Sequence, residues 1–557
     1  MFELPPTRIS GRALRTLVAL VRNTPAKHAT AQILREQLGI NAIRALGADA
    51  RGELPFDLAP IVARCEHRRE SQCLGIPTVG DWPRTTDACQ RALASGRVSS
   101  EELVVRALAA AERLAARTPS LGPLLDRDEA RALEAARQSV ERRARGELRG
   151  PLDGVPIAIK EEIHVAGLPT RVGTAFLPRT AASTDSVPVS RLRDAGALIL
   201  GTTPMTEYGM SPLGGNVHRV MPRNAHQSDR LPGGSSSGSG VAVATGVVPV
   251  ALGADGGGSI RIPAAYNGVF GIKPTYGRVP VVGHGVPGGS SVVHLGPLGA
   301  STHDLAVFLE AASGADPRDP ASEIQPPLDP GELVEAIGRG VGGLRVGVDE
   351  DEWAAASPEV RQRGREALGA LEKEGATLVP VGFRLAKHAA AIGYLTIGLE
   401  FMTNLAEVRR DHMDELGLDL QMLLTNLETF RADDYIDAQR LRAELRREVA
   451  SLLTNVDVLA LPTTATTAPP VSDRDASEGF VDPLALDAAC RFAFVGNLTG
   501  CPAGTAPIGM DSAGLPIGLQ IVGDAWDEAA VLQVLGHLER IGVAHVERPR
   551  AGIDLLA

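Results

Sequence analysis

Two glycine-rich segments that each end in serine interrupt apolar sequence near the middle of this chain. Ser235 follows two glycines in the segment 232–236 (PGGSS), and Ser259 follows three glycines in the segment 255–259 (DGGGS). Glycine weakens regular helices and strands, so such clusters are typical of places where the backbone takes a positive φ or approaches a ligand closely. We therefore predict that the fold brings these two segments to a functional site.

Short apolar runs alternate with helical stretches after residue 150. Each run is short enough for a strand, and the runs are too uniformly apolar for a sheet with one face in water. The runs cover residues 155–159, 197–200, 247–252, 344–348, 456–461 and 517–522. This alternation predicts an α/β fold with a buried sheet.

Two helices are predicted before the first of these strands. The segment 99–102 (SSEE) has the pattern of a capping box, and apolar residues recur at helical spacing after it. A second, highly charged helix is predicted over residues 129–147. The face of the first helix that we expect to be buried consists of Val104, Leu108, Ala111 and Ala115.

The domain organisation follows from where the patterns change. Residues 1–80 have helical character without a catalytic pattern, and we interpret them as a helical N-terminal extension of a main domain that covers residues 81–557. Prolines between residues 317 and 330 mark a loop. The stretch from about 355 to 452 is mostly helical, and we expect it to cover one end of the sheet.

The extension contains a basic, amphipathic stretch over residues 12–22. Packing on its own domain or on a second subunit is the favoured interpretation, and an interfacial membrane helix is the alternative. No apolar run approaches the roughly 18 residues that a membrane span needs, and the features of a signal peptide are not clear. We expect no membrane association.

Composition excludes several classes of partner. The net charge is -11, and 56 basic residues are dispersed among 67 acidic ones, so we expect no nucleic-acid partner. The five cysteines are odd in number and lack metal-ligand spacing, which indicates a reducing compartment and no structural metal. We therefore expect a cytoplasmic protein without a metal or another cofactor.

Lys160 is the most distinctive cation of the chain, because arginine supplies nearly all of the positive charge. Only Lys27, Lys160, Lys273, Lys373 and Lys387 are lysines. Lys160 directly follows the apolar run 155–159, so desolvation should lower the pKa of its ammonium and suit it to act as a general base. The alternative interpretation is a lysine at a strand end whose ammonium simply reaches water.

These segments carry a family resemblance. The segments 154–160 (GVPIAIK), 232–236 (PGGSS), 253–265 (GADGGGSIRIPAA) and 271–279 (GIKPTYGRV) resemble the amidase signature family. The resemblance extends from the helix near residue 99 through 514–520 (GLPIGLQ) to the last helix. It implies a large mixed β-sheet flanked on both faces by α-helices, and a Ser-cisSer-Lys triad that hydrolyses amides.

Carried over residue by residue, the resemblance implies that Ser259 is the acylated nucleophile and Lys160 the base. Ser235, preceded by a cis peptide bond, would be the bridge between them. A neutral lysine could take a proton from Ser235 while Ser235 takes one from Ser259, and the reverse transfer would protonate the leaving amine. No cofactor is needed for this chemistry.

The second glycine run is expected to form an oxyanion hole. Backbone N–H groups of Gly256, Gly257 and Gly258 can stabilise the tetrahedral oxyanion of amide hydrolysis. Supporting positions are Asp255, Arg261 and Ser236. Arg261 is expected to order the loop through Asp255 or nearby carbonyls, and an ion pair without a catalytic role is the alternative.

The sequence departs from the family pattern at three positions. Glu161 stands where an aspartate usually follows the lysine, Gly256 where threonine is usual, and Ser237 where glycine is usual. None of them is a member of the triad. They bear on the fine geometry of the oxyanion loop and on the substrate.

Other motif interpretations compete for the same serines. The segment 234–238 also matches the Gly-x-Ser-x-Gly nucleophile elbow, which would make Ser236 the nucleophile and need a histidine such as His284 or His537. Cys501 is a second candidate nucleophile, and burial as a small core residue is its alternative. A phosphate-binding loop lacks its Gly-Lys-Ser/Thr, and a flexible linker would not continue into apolar sequence.

Two function classes follow. The first is a free-standing amidase, expected to be a homodimer, that hydrolyses a small amide. The second resembles the glutaminase component of the tRNA-dependent amidotransferase, and an inactive binding relative is a third option. Two groups of methionines weakly favour an apolar or aryl acyl group, and core packing explains them equally well. They are Met205, Met210, Met221, Met402, Met413 and Met422.

Overall fold

The computed structural model describes most of the chain in atomic detail. It describes residues 8–47, 50–51, 59–64, 72–77, 82, 84–219, 221–286 and 290–557. The strands are β1 Ile9–Ser10, β2 Pro156–Lys160, β3 Leu198–Thr203, β4 Val250–Asp255, β5 Phe270–Lys273, β6 His294–Gly299, β7 Arg345–Val348, β8 Thr377–Pro380, β9 Val458–Pro462, β10 Phe480–Val481, β11 Ala503–Met510 and β12 Pro516–Gly523.

The helices surround these strands and lie mainly in the connections between them. They are α1 Gly11–Asn23, α2 Ala26–Gln37, α3 Ile40–Arg44, α4 Thr86–Ala94, α5 Ser100–Ala115, α6 Glu129–Arg145, α7 Val187–Asp194, α8 Ser237–Ala244, α9 Arg261–Asn267, α10 Thr302–Ala312, α11 Pro320–Glu323, α12 Glu332–Ile337, α13 Glu350–Ala354, α14 Pro358–Lys373, α15 Ala389–Asn404, α16 Ala406–Asp411, α17 Leu418–Leu427, α18 Ala432–Leu453, α19 Asp473–Glu478, α20 Pro483–Cys490, α21 Phe494–Thr499 and α22 Glu528–Arg540.

One mixed sheet of ten strands forms the centre of the described structure, in the order β3-β2-β4-β6-β5-β11-β12-β9-β7-β8. β2 runs parallel to both β3 and β4, and β7 runs parallel to β8 and β9. The strands between these two groups pair antiparallel. The predicted α/β class with a large mixed sheet is confirmed.

Helices cover both faces of this sheet. On one face, Gly504 of β11 meets Val531 and Leu535 of α22. On the other face, Gly518 of β12 meets Ala265 of α9 and the side chain of Thr505, which follows Gly504 in β11. Successive residues of a strand point to opposite faces, so α9 and α22 pack on opposite sides of the sheet.

All six apolar runs form strands, but the sequence analysis missed several others. The strands β6 (HLGPLG) and β11 (AGTAPIGM) contain glycine and proline, which are depleted in strands and concealed the pattern. Glycine is required at one of these places, because a Cβ on Gly296 would lie 2.4 Å from the carbonyl oxygen of Ile272 on β5. The close approach of the β5 backbone therefore explains why β6 contains glycine, a residue that is more typical of loops than of strands.

The predicted capping box begins α5. The Ser99 hydroxyl accepts a hydrogen bond from the Glu102 N–H at 3.1 Å, and the Glu102 carboxylate accepts one from the Ser99 N–H at 2.7 Å. Val104, Leu108 and Ala111 are buried as predicted. Ala115 is exposed, because the buried stripe ends at Leu114 in the last turn.

The N-terminal helices pack on the main body of the chain. Leu14, Val18 and Val21 of α1 are buried against Met422 of α17. The amphipathic face therefore contacts the chain's own core. Within the described part of residues 1–80 the α-helices end at Arg44. The stretch 355–452 is mostly helical, but it includes β8, which extends the edge of the sheet.

Candidate active site

Three elements of the sheet and its connections carry the predicted triad. Lys160 is the last residue of β2, and Ser259 lies in the connection from β4 to α9. Because β2 and β4 are parallel neighbours, their carboxyl ends meet at one edge of the sheet. Ser235 lies just before α8, which packs on both strands.

Lys160 and Ser235 are in direct contact. The Lys160 Nζ donates a hydrogen bond to the Ser235 Oγ at 2.7 Å. Both side chains are buried, with exposed fractions of 1% for Lys160 and 2% for Ser235. The peptide bond between Gly234 and Ser235 is cis. The contact allows a proton to move between the amine and the hydroxyl.

Two further oxygens surround the same nitrogen. Lys160 Nζ lies 2.6 Å from Glu162 Oε1 and 3.3 Å from the Ala254 carbonyl oxygen. Burial lowers the pKa of Lys160 from its ordinary value, and the nearby Glu162 opposes this shift. Burial alone would raise the pKa of Glu162, but Lys160 and His284 outweigh it and lower this pKa to about 2.

Ser236 makes backbone contacts with both Ser259 and Ala254. The Ser236 N–H donates to the Ser259 carbonyl oxygen at 3.3 Å. The Ser236 hydroxyl bonds the backbone of Ala254 in both directions, as a donor to its oxygen at 3.2 Å and an acceptor from its N–H at 3.3 Å. Ser236 therefore ties the start of α8 to β4.

The glycine loop is close-packed against apolar side chains. A Cβ on Gly257 would lie 2.5 Å from the Phe494 ring, and Gly258 has a φ of +112°, which residues with a side chain rarely adopt. The Gly258 N–H donates to Asp255 Oδ1 at 2.7 Å, and the Ile260 N–H donates to Asp255 Oδ2 at 3.1 Å. Asp255 thus fixes the loop from within.

Arg261 holds Asp255 in turn. Its Nε and Nη2 donate to the two carboxylate oxygens of Asp255 at 3.0 and 2.9 Å, and its Nη1 donates to the Ala493 carbonyl oxygen and to Gln520 Oε1. Burial would raise the pKa of Asp255, but Arg261 and Asn497 hold it well below its usual range. Arg261 contacts both Asp255 and a carbonyl, which are the partners expected from the sequence.

A cavity of about 110 Å³ opens at these groups. Lys160, Ser235, Ser259, Gly256 and Gly257 lie at one end of it. Asp255, Glu162 and His284 complete this polar end. The remaining wall is largely apolar and includes residues from six separate parts of the chain. It contains Leu34, Leu38, Ile40, Met210, Val286, Leu395, Ile397, Phe401, Leu423, Leu427, Phe430, Leu486 and Phe494.

The residues of the competing interpretations lie in different places. His284 lines the cavity, with its Nε2 3.6 Å from Glu162 Oε2. His537 lies on α22, where its Nε2 is 3.5 Å from Glu374. Cys501 is buried, and burial raises the pKa of its thiol to about 11, which makes it a poor nucleophile at neutral pH.

The departures from the family pattern also have defined surroundings. Glu161 points away from Lys160: its Oε1 lies 2.9 Å from Arg219, and its Oε2 accepts from the Gly173 N–H at 3.1 Å. Ser237 donates to the Pro204 carbonyl at 3.2 Å. Both residues therefore support neighbouring loops outside the cavity wall.

The sequence analysis missed Glu162, the apolar wall formed by the N-terminal extension, and the contact of His284 with Glu162. Glu162 had only a partial signal, because it is two residues from Lys160. A turn after β2, closed by the hydrogen bond from the Ile163 N–H to the Lys160 carbonyl oxygen, brings the two side chains together. Leu34, Leu38 and Ile40 reach the cavity by tertiary contacts, for which local sequence gives no signal.

The chain belongs to the amidase family. The sequence profile of that family, described as Amidase, matches residues 104–532. The protein is accordingly a hydrolase that acts on carbon–nitrogen amide bonds, with an amidase signature fold.

Individual relatives support this assignment. The chain is 35% identical over 490 residues to a glutamyl-tRNA(Gln) amidotransferase subunit of Chloroflexus aurantiacus, with 84% of this chain and 98% of that protein covered. Native peptide amidase from Stenotrophomonas maltophilia is 28% identical, with a TM-score of 0.70 over 84% of this chain and 99% of that one. A structure described as a vestigial complex bearing on the origins of an s-triazine catabolic enzyme gives a TM-score of 0.75 at 31% identity, covering 83% and 100% of the two chains.

Neither a membrane span nor a metal cluster is found among the described residues. No helix among them is long and apolar enough to cross a membrane. No group of three or more His, Cys, Asp or Glu side chains in the described part of the chain is arranged to hold a metal ion.

Proposed function

We propose that this amidase hydrolyses a carboxylic amide through an acyl-enzyme, with Ser259 as nucleophile, Ser235 as proton bridge and Lys160 as base. The observation that carries the proposal is the 2.7 Å hydrogen bond from Lys160 Nζ to Ser235 Oγ, at the polar end of a cavity that Ser259 also lines. A serine hydroxyl is a weak nucleophile unless a base takes its proton, and a desolvated lysine supplies such a base.

Acylation uses two proton transfers along the same path, first from Ser259 through Ser235 to Lys160 and then back to the leaving nitrogen. Ser259 Oγ bonds to the amide carbon as its proton passes to Ser235, and the proton of Ser235 passes to Lys160. The tetrahedral intermediate then breaks its C–N bond, and the same path returns a proton from Lys160 to the leaving nitrogen. Water repeats the cycle on the Ser259 ester and releases the acid.

The glycine loop is assigned to the oxyanion. N–H groups of Gly256 and Gly257, which line the cavity, would receive the negative oxygen of the intermediate, and their fixed orientation means that no reorganisation is needed during the reaction. The Gly258 N–H, which the sequence analysis included, already donates to Asp255 Oδ1 at 2.7 Å, so Gly258 is left out of this role. The bonds of Asp255 to this loop and of Arg261 to Asp255 support the role, because they hold the backbone in place.

The apolar wall favours a substrate with an apolar or aryl acyl group. Cavities of about 150 Å³ lined by aliphatic and aromatic side chains bind benzene, so a space of this order suits one ring or a short branched chain. Leu34, Leu38 and Ile40 place the N-terminal extension in this wall. We therefore propose that the extension contributes to acyl selectivity.

A glutaminase-type subunit of an amidotransferase complex is the second candidate. The 35% identity to the amidotransferase subunit of Chloroflexus aurantiacus favours it. The charged side chains among the described residues of the wall, Lys160, Glu162 and Asp255, all cluster at the triad end, as does the ring of His284. A glutamine substrate would therefore place its α-ammonium and α-carboxylate against apolar residues, which costs several kcal/mol without partners.

We further propose a cytoplasmic homodimer that acts without a partner protein. The four described cysteines, Cys73, Cys89, Cys490 and Cys501, have free thiols, as is usual in a reducing compartment. The net charge of the chain is negative, which does not favour nucleic acid as a partner.

Purification followed by an amide panel tests this proposal. The panel consists of amides whose acyl groups increase from acetyl to benzoyl, together with L-glutamine. We expect hydrolysis of the apolar amides by a homodimer and no ammonia release from glutamine. Glutamine hydrolysis with no turnover of apolar amides would instead establish the second candidate.

A further inference from the structure

The environment of Lys160 Nζ contains one group that the amide relay does not use. Three oxygens lie within hydrogen-bond distance of this nitrogen: Ser235 Oγ, the Ala254 carbonyl oxygen and Glu162 Oε1. An ammonium has three donors and no acceptor, whereas a neutral amine has two donors and a lone pair. Three acceptors around Nζ therefore match the ammonium form.

Glu162 is held in position for this contact. Its side chain is 4% exposed, and its second oxygen, Oε2, lies 3.6 Å from the ring nitrogen Nε2 of His284. A buried carboxylate needs a charged or hydrogen-bonding partner. Lys160 is that partner for Oε1, and the His284 ring lies beside Oε2.

We infer that Glu162, supported by His284, is a positioning residue of the relay that holds Lys160 as an ammonium in the resting site and so sets the pH at which the lysine becomes a base. This inference rests on the proposed roles of Lys160, Ser235 and Ser259. It gives Glu162 a role in controlling when Lys160 can accept the proton of Ser235.

The same contact acts twice in the cycle. Before the reaction, Glu162 opposes the loss of the proton that Lys160 must release to become a base. After the proton of Ser235 arrives on Lys160, the carboxylate stabilises the new ammonium at close range in a low-dielectric site. Loss of Glu162 should therefore make the base available at lower pH and also lower the maximal rate.

Other charged or titratable groups face this site from each neighbouring element. Asp255 lies at the end of β4, and its charge is balanced by Arg261. Tyr208 lines the cavity from the loop after β3, and His284 approaches from the loop before β6. Glu161 is paired with Arg219 on the other side of the chain. Glu162 is the carboxylate in direct contact with Nζ.

The test is the pH dependence of serine labelling by a fluorophosphonate, which needs a nucleophile and its base but no known substrate. Glu162→Gln removes the charge and keeps the shape. We expect the midpoint of its rate–pH profile to fall by about one unit or more, since one unit corresponds to a tenfold change in proton affinity. The plateau at high pH should fall by roughly tenfold or more.

Two matched variants complete the experiment. Glu162→Asp withdraws the carboxylate by one methylene, and its midpoint should move in the same direction by less. Glu161→Gln makes the same change at the adjacent residue, whose side chain points away from Lys160, and its midpoint should stay at the wild-type value. Thermal unfolding of each variant identifies any that fail to fold, and in that case the Asp variant carries the test.

The outcomes separate the two proposals. A midpoint that is unmoved or raised in Glu162→Gln, or in Glu162→Asp where the Gln variant does not fold, overturns the role of Glu162. An equal shift in Glu161→Gln also overturns it, because the effect would then not need contact with Nζ. Failure of wild-type enzyme to label at Ser259 would instead overturn the proposed catalytic serine.

Discussion

The Lys160 Nζ donates a hydrogen bond to the Ser235 Oγ across 2.7 Å, between residues that lie on different elements and far apart in the sequence. The end of β2 supplies the amine, and the segment before α8 supplies the hydroxyl. The contact is buried, so water does not compete for it. Its consequences for catalysis can be measured residue by residue.

Replacing the proposed nucleophile should abolish acylation. We expect Ser259→Ala to lower kcat by roughly four orders of magnitude or more, and Lys160→Ala to have nearly as large an effect, because members of a catalytic relay fail as a unit. Steady-state hydrolysis of the best amide in the panel measures this.

Ser236→Ala is the matched control for Ser259→Ala. The Ser236 hydroxyl bonds the backbone of Ala254, so its loss should cost some stability but leave most of the activity. The opposite pattern, with Ser236→Ala inactive and Ser259→Ala active, would favour the nucleophile-elbow interpretation.

A side chain on the oxyanion loop should slow the reaction. In Gly257→Ala the new Cβ would lie 2.5 Å from the Phe494 ring, and this ring is also packed closely against Gly393, so we expect the loop to shift from its position. Loss of one oxyanion donor lowers kcat by roughly 10²–10³. Gly369→Ala, where a Cβ meets nothing within 4 Å, serves as the control. Unchanged kcat in Gly257→Ala would argue against an oxyanion role for this loop.

Removal of the Arg261 side chain should destabilise the protein. Arg261→Met leaves the buried Asp255 carboxylate without its cation, and breaking a buried pair in this way costs about 3–5 kcal/mol. Urea denaturation at pH 7 measures the change. Arg365→Met removes an exposed pair with Glu350 and should have little effect.

The loss in Arg261→Met should depend on pH. Arg261 holds the pKa of Asp255 well below its usual range, so its stabilisation is fully present above about pH 4 and is lost as the pH falls through the folded-state pKa. Without Arg261, burial raises this pKa and the carboxyl becomes neutral earlier. The difference in stability between the two proteins should therefore be largest at pH 7 and shrink towards pH 4; a constant difference would contradict the pairing.

Narrowing the apolar wall should change acyl selectivity. Leu38→Trp fills part of the cavity, and we expect kcat/KM to fall about 10-fold to 100-fold for benzoyl amides while acetyl amides are much less affected. Leu20→Trp is the matched control, because Leu20 lies on the exposed side of α1. Equal losses for every acyl group would show that Leu38 acts on stability and not on selectivity.

Local sequence patterns predicted much of the framework around this site. The apolar run before Lys160 and the glycines before Ser235 and Ser259 placed these residues at strand ends and turns, because strand length and glycine conformation act locally. The capping box at Ser99 is equally local.

Two kinds of feature lay beyond these patterns. The strands His294–Gly299 and Ala503–Met510 contain glycine and proline, and their pairing depends on neighbours that are distant in sequence. The contact of Leu38 with the cavity likewise depends on how the N-terminal helices pack on the rest of the chain. The fold class was therefore predictable, and the shape of the acyl pocket was not.

Mass spectrometry after fluorophosphonate labelling tests the central claim most directly. Digestion before aspartate separates the candidates, because residues 229–254 contain Ser235 and Ser236 whereas residues 255–303 contain Ser259. We predict stoichiometric modification of Ser259 in the second peptide, with loss of activity in proportion. Modification at Ser236, or no modification of a fully active enzyme, would contradict the proposed triad.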